Sequence, residues 1–268
     1  RTIGVKCMKH PRLQLNKRAF WCGVAVLVLL RCGLTGFQQA YTWVGGAPLD
    51  DELMFRAAQA ITAGEWLGAY DYLTLSKAMF FPVWLALLHV LHLPYLVSGA
   101  ALWCAASLLA AFAFAPLWRN AEPGCGRVLT LGLFGALAFL PSGWAAYTLR
   151  VYRDNIFPAL CLVFFAGMAG MALRAVFTPE KPLWPWLAAA GAGLACGYLD
   201  REDAGLFLLP FAAAATVIVA VLLAGKRRWK ALAAQVIPYV MLGVGVLTFC
   251  TLNYTHYGVF ALSDFSEG

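Results

Sequence analysis

Long apolar runs limit how this chain can fold more than any other feature. A helix needs roughly 20 residues to cross the hydrocarbon core of a bilayer. Seven stretches suit that role, at residues 19–36, 95–117, 128–146, 155–173, 183–199, 204–224 and 231–252. Only 12% of the 268 residues are charged, whereas soluble domains have about 25%. We therefore predict an all-α, polytopic membrane protein with a single transmembrane domain over residues 1–268.

Basic residues indicate which ends of the predicted spans face the cytoplasm. One basic cluster precedes the first span and another lies at residues 226–230. Short loops rich in lysine and arginine stay on the cytoplasmic side of a membrane. Counting spans from these clusters places residues 38–95, 147–154, 200–203 and 253–268 on the external face. The net charge of +7 thus reflects topology and does not indicate binding to nucleic acid.

Residues 78–93 form an apolar stretch that is too short for a regular span. It contains Pro82, and both of its flanking loops are predicted to be external. We therefore expect a re-entrant or interfacial segment that enters and leaves on the same side. The alternative is that this stretch crosses the membrane and that one later span is misassigned.

The first external loop, residues 38–77, carries three consecutive acids, Asp50, Asp51 and Glu52. A carboxylate near a low-dielectric interface can act as a general base towards an attacking hydroxyl. The acids could instead begin a helix, stabilised by the helix dipole. An apolar residue pattern that predicts an amphipathic helix follows them: Leu53, Ala57, Ala60 and Ile61. A divalent metal is not indicated, because it needs more oxygen ligands than this segment supplies, and we expect no cofactor.

Further charged residues recur on the predicted external face. Lys77 could bind a phosphate or anchor the chain at the interface. Arg150 and Arg153 lie there against the usual charge bias, and arginines suit bidentate recognition of phosphate. Charges so close to hydrocarbon are costly, so residues 200–203 are either functional or a salt-bridged turn. The other predicted substrate contacts are Glu52, Asp154, Arg201 and Glu202.

Several short motifs follow one another in a distinctive order. After a basic N-terminus and one span come external Asp-Asp-Glu and then Gly-Glu-Trp-Leu-Gly-x-Tyr…Thr-Leu-x-Lys…Phe-Pro, at residues 64–82. Leu-Arg-x-x-Arg-Asp at 149–154 and Arg-Glu-Asp at 201–203 complete the series. Over residues 19–260 this order resembles the N-terminal membrane module of GT-C glycosyltransferases. It looks most like the bacterial relatives of protein O-mannosyltransferases and aminoarabinose transferases.

The resemblance implies a specific reaction. It is the inverting transfer of a sugar from a polyprenyl-phosphate carrier to an acceptor at the external face, here of a bacterial inner membrane. The base of the family corresponds to Asp50 or Asp51, of which we prefer Asp51, since adjacent helix positions diverge and one must face away. Lys77 corresponds to the family's contact of the donor phosphate, and Arg153 and Asp154 correspond to the Arg-Asp of its second external loop, from which we expect Arg153 to bind the phosphate as well. Family members continue beyond this region, so we expect the chain to be part of a longer protein of unknown acceptor.

Two departures from the family pattern concern the donor site. The family often has Lys-Gly or Lys-Pro followed by Tyr-Pro, where this chain has Lys77-Ala78 and Phe81-Pro82. These differences affect the expected geometry of the donor more than the class of reaction.

Two other classes of function stay open at this point. A transporter or flippase of lipid-linked or anionic substrates should show two related halves with charge near the middle of the membrane. A non-catalytic assembly subunit should tolerate substitution of the carboxylates. Separately, Gly191-x-Gly193-x-x-x-Gly197 lies inside a predicted span, where small residues at this spacing permit close packing of helices.

Overall fold

The computed structural model describes residues 15–43 and 48–263, and its regular structure there is helical. The α-helices within these ranges are α1 Lys17–Gly36, α2 Pro48–Ala63, α3 Phe80–Val90, α4 Tyr95–Ala113, α5 Pro123–Ala138, α6 Phe157–Phe177, α7 Trp184–Asp200, α8 Gly205–Gly225, α9 Trp229–Ala233 and α10 Ile237–Tyr257. No β-strand occurs among the described residues, which contain one isolated parallel bridge between Tyr41 and Arg150. The predicted all-α class is confirmed.

Five helical segments are long and apolar enough to cross a membrane. They are α1, α4, α6, the segment Glu202–Gly225 that contains α8, and the segment Trp229–Tyr257 that contains α9 and α10. The protein is therefore a multi-pass membrane protein. The remaining two predicted spans correspond to α5 and α7, which have only 16 and 17 residues. The expected number of seven spans thus stays a prediction.

Helix α3 matches the short apolar segment that the sequence predicts at residues 78–93. Its 11 residues extend about 16 Å at 1.5 Å per residue, roughly half the thickness of a hydrocarbon core. Pro82 lies in its first turn, where proline is tolerated. One face of α3 packs against α2, and Phe81 is fully buried there.

Helix α2 is the amphipathic helix expected in the first external loop. Leu53, Met54 and Ala57 are buried and pack with α3 and with the segment that precedes α6. Burial recurs every three to four residues, as on one face of a helix. Asp51 falls on this buried face, since it lies three residues before Met54, whereas Glu52 is exposed.

Helices α6 and α7 form the tightest contact in the bundle. A Cβ atom added to Gly193 would lie 2.4 Å from the backbone nitrogen of Phe164. A Cβ on Gly167 would lie 2.4 Å from the backbone nitrogen of Ala190. Only glycine permits backbones to approach so closely. The packing role predicted for the glycine pattern in α7 is confirmed.

Candidate functional site

Three segments that are distant in sequence meet at one end of the helices. The start of α2 contacts the turn before α6 through Asp51 and Arg150. That turn contacts the end of α7 through Arg153 and Glu202. We call the residues that meet here the charged cluster, and its members are Asp50, Asp51, Lys77, Arg150, Arg153, Asp154, Arg201 and Glu202. Of the predicted site residues, only Glu52 lies outside it.

Asp51 and Arg150 form a buried ion pair. Asp51 is 3% exposed, and its Oδ1 accepts hydrogen bonds from Nε (3.0 Å) and Nη2 of Arg150. Its Oδ2 accepts from the backbone N–H of Trp43 at 2.6 Å. Burial lowers the pKa of Arg150, but the hydrogen bonds and charge of Asp51 outweigh this and raise it overall. This ion pair connects the first loop to the segment before α6, next to the backbone β-bridge between Tyr41 and Arg150.

Asp50 and Lys77 are the more accessible members of the cluster. Lys77 Nζ lies 3.7 Å from Asp50 Oδ1, and the two side chains are 28% and 36% exposed. Asp50 Oδ2 also accepts a long hydrogen bond, 3.4 Å, from the Tyr152 hydroxyl. Asp50 thus has a weak set of partners that a ligand could replace, unlike Asp51.

Tyr152 connects Asp50 to Arg153. The guanidinium of Arg153 donates from Nη2 to the Tyr152 hydroxyl at 2.9 Å, and this hydroxyl donates onward to Asp50. Burial raises the pKa of Tyr152, although the neighbouring Arg153 opposes this shift. The phenol therefore keeps its proton and can donate it. Tyr152 was not among the predicted site residues; its position between the two arginines of Leu-Arg-x-x-Arg-Asp was the available signal.

Arg153 is itself firmly held. It is 5% exposed, and its Nη1 donates to Glu202 Oε2 at 2.8 Å and to the Asp200 carbonyl at 3.0 Å. Glu202 Oε1 accepts a second hydrogen bond, from the backbone N–H of Ala78. The end of α7 is thereby tied to the residue that follows Lys77.

Within residues 200–203, the charge of Arg201 is neutralised locally by Asp154 and Asp203. Arg201 Nη1 donates to Asp154 Oδ1 at 2.9 Å, and Arg201 Nε donates to Asp203 Oδ1 at 3.1 Å. This arrangement fits a salt-bridged turn, the alternative to a substrate contact at these positions. Asp200 is fully buried, and neither of its carboxylate oxygens has a hydrogen-bond partner among the described residues.

Glu52 occupies a different surface from the charged cluster. It is exposed and lies on a cavity of about 160 Å³ together with Arg56, Asp71 and Tyr72. Because one helical residue turns by about 100°, Glu52 cannot share the orientation of Asp51. The structure therefore does not bring this predicted substrate contact to the other candidate residues.

A small cavity with both polar and apolar lining residues lies beside the cluster, between α1, α4 and the start of α6. It measures about 50 Å³, and its lining includes Arg31, Asp154 and Asn155. Arg31 is buried, donates to Thr35 Oγ1 and to the Gly143 carbonyl at 2.7 Å each, and stacks on Trp144. The Oδ1 atom of Asn155 is buried without a hydrogen-bond partner in the described chain.

The described residues contain no group of three or more His, Cys, Asp or Glu side chains arranged to hold a metal ion.

Comparisons with protein-family models, with curated proteins and with solved structures found no match to this chain. The fold and the site define an all-helical, multi-pass membrane protein with a charged cluster at one end of its helices. The resemblance to GT-C glycosyltransferases stays a prediction.

Proposed function

We propose that this chain is the membrane module of an inverting glycosyltransferase. It would move a sugar from a polyprenyl-phosphate carrier to an acceptor at the external face of the membrane. The observation that supports this most is the pair formed by Asp50 and Lys77, 3.7 Å apart and both partly exposed. A reachable carboxylate beside a reachable cation is what transfer from a phosphate-linked sugar requires.

The reaction assigns a separate task to each member of this pair. Asp50 takes the proton of the acceptor hydroxyl as its oxygen bonds to the anomeric carbon. The bond from that carbon to the phosphate oxygen breaks, and the carrier leaves with the electron pair. Lys77 stabilises the negative charge that grows on the phosphate as the sugar departs. Attack from the face opposite to the leaving phosphate inverts the anomeric centre.

The geometry favours Asp50 over Asp51 as the base. A general base must come within hydrogen-bond reach of the proton that it abstracts. Asp51 is buried, and both of its oxygens are engaged by Arg150 and Trp43. Asp50 can accept a hydrogen bond from the acceptor hydroxyl by giving up only its long hydrogen bond from Tyr152. We therefore assign Asp51 to holding the site together.

Arg153 has a supporting role in this proposal. Its donors already bind Glu202, the Asp200 carbonyl and Tyr152. It therefore acts through Tyr152, which orients the Asp50 carboxylate, and contributes positive charge beneath the carrier phosphate. Lys77 makes the direct phosphate contact.

The test uses purified protein in lipid nanodiscs with a panel of polyprenyl-phosphate-linked radiolabelled sugars. The measurement is the release of polyprenyl phosphate by transfer of the sugar to water, which takes the place of the unidentified acceptor hydroxyl at the anomeric carbon. Asp50→Asn should lower this rate by about 10²–10⁴-fold, the usual cost of losing a general base. Glu65→Gln is the matched control, because it removes one exposed carboxylate from the same loop and should leave the rate unchanged.

Other outcomes point to other functions. If Asp50→Asn retains the wild-type rate while Asp51→Asn is folded and inactive, the assignment of the base to Asp50 is wrong. If the wild-type protein consumes none of the donors in the panel, the proposed transferase activity is wrong and the chain is better described as a non-catalytic assembly subunit. The extensive internal pairing of the cluster favours that second candidate, because most of its charges are already neutralised.

A further inference from the structure

A second cavity, lined by cations and apolar side chains, lies at the end of the helices opposite to the charged cluster. Helix α7 runs from Trp184, which lines this cavity, to Asp200, which lies beside the cluster. The cavity is about 600 Å³, within the range of ordinary ligand sites. It is formed where the turn between α6 and α7 meets the turn between α8 and α9.

The lining of this cavity combines cations with exposed tryptophans. Arg227, Arg228 and Lys230 line it, and no acidic residue does. One terminal nitrogen of Arg228, Nη1, is buried and has no hydrogen-bond partner among the described residues. A guanidinium with a free donor is suited to a phosphate oxygen. Trp184 and Trp229, more than half exposed on the same cavity, are typical of the level of lipid headgroups.

We propose that this cavity binds the headgroup of an anionic phospholipid through its phosphate. Charge complementarity selects the ligand, since three cations face the cavity without a lining carboxylate. The position of the cavity, at the predicted cytoplasmic ends of the helices, indicates that the phosphate belongs to a lipid. Basic pockets between membrane helices on that side bind phosphate-bearing headgroups. This site is independent of the proposed sugar transfer, which belongs to the other end of the molecule.

The test measures the binding of phosphatidylglycerol and of phosphatidylcholine to the purified protein by native mass spectrometry. Arg227→Gln combined with Arg228→Gln should lower the affinity for phosphatidylglycerol by about thirtyfold, because each cation near an anionic membrane surface contributes about fivefold. The matched control is Lys17→Gln combined with Arg18→Gln. It also removes two exposed cations, at the start of α1 and away from the cavity lining, and should bind as the wild type does.

Three results would overturn this site. They are equal binding of phosphatidylcholine, an equal loss in the control variant, and displacement of the lipid by millimolar inorganic phosphate, which would indicate a site for free phosphate. Arg228→Lys protects the test against misfolding of the double variant. This variant keeps the positive charge but loses the planar guanidinium that can donate two parallel hydrogen bonds, so phosphatidylglycerol should bind more weakly than to the wild type. Unchanged binding would also contradict the proposal.

Discussion

Three consecutive acids at the start of α2 have three different environments, because each helical residue turns by about 100°. Asp51 faces inward to Arg150, Asp50 lies at the edge beside Lys77, and Glu52 faces outward. Charge alone therefore does not define a role here. The environment of Asp51 supports stability, and that of Asp50 supports chemistry.

The buried ion pair should contribute strongly to stability at the residue scale. Arg150→Met leaves the Asp51 carboxylate buried with only the Trp43 N–H as partner. Removing one member of a buried pair costs about 3–5 kcal/mol. We expect a clear fall in the midpoint of thermal unfolding, measured on purified protein in detergent.

A matched control for that substitution exists in the same loop. Arg56 and Asp71 are 2.8 Å apart, but their side chains are 46% and 35% exposed. Such pairs are worth less than about 1 kcal/mol, so Arg56→Met should change the midpoint little. Adding Asp51→Asn to Arg150→Met should recover part of the loss, since the two residues are coupled. Equal midpoints for the Arg150 and Arg56 variants would show that the buried pair is not a stabilising contact.

At the scale of elements, the contact between α6 and α7 should be intolerant of one methyl group. Gly193→Ala would place its Cβ against the backbone of Phe164, so the helices must separate, at a cost of about 1–3 kcal/mol. Gly243→Ala in α10 is the control, because nothing lies within 4 Å of its added Cβ. Thermal unfolding of both variants checks this. If Gly193→Ala unfolds at the wild-type temperature, the close approach of α6 and α7 is not required.

Local patterns in the sequence predicted several of these elements, but not their long-range pairings. The spacing of apolar residues by three or four positions predicted α2, and small residues predicted close packing of α7, because both signals lie within one helix. The partner of Asp51 is Arg150, which is 99 residues away, and no local pattern encodes that distance. For the same reason the sequence predicted the residues of the charged cluster but did not identify Tyr152 as the link between Asp50 and Arg153.

At the scale of the whole molecule, contacts at the charged end restrict how often the chain crosses the membrane. Asp51 pairs with Arg150 there, and Asp50 contacts both Lys77 and Tyr152, so α3, α4 and α5 together must cross the membrane an even number of times. The pair of Arg153 with Glu202 requires the same of α6 and α7. Helix α3 has 11 residues and reaches across only about half of the hydrocarbon core. Since α4 and α6 are long enough to cross, we expect the shorter α5 and α7 to cross as well. Together with α1, α8 and α10 this gives seven crossings.

A second set of contacts supports the conclusion that α3 does not cross. Trp66 donates to Asn253 at 2.8 Å, and the hydroxyl of Tyr257 donates to the Gly68 carbonyl at 2.8 Å, so the first loop and the end of α10 share one side. An even number of crossings must separate them, and α4 to α8 with α10 already provide six. A seventh crossing by α3 would place these partners on opposite sides of the membrane.

Cysteine labelling of intact cells tests this topology in a background without the native cysteines. We expect Thr42→Cys, Tyr72→Cys and Thr255→Cys to react with an impermeant reagent from outside, since all three positions are exposed at the charged end. Lys181→Cys, exposed at the opposite end, should react only after the membrane is opened. External labelling at Tyr72 with none at Thr255 would mean an odd number of crossings between them. The contacts of Trp66 and Tyr257 could then not form, and α3 would have to be counted as a span.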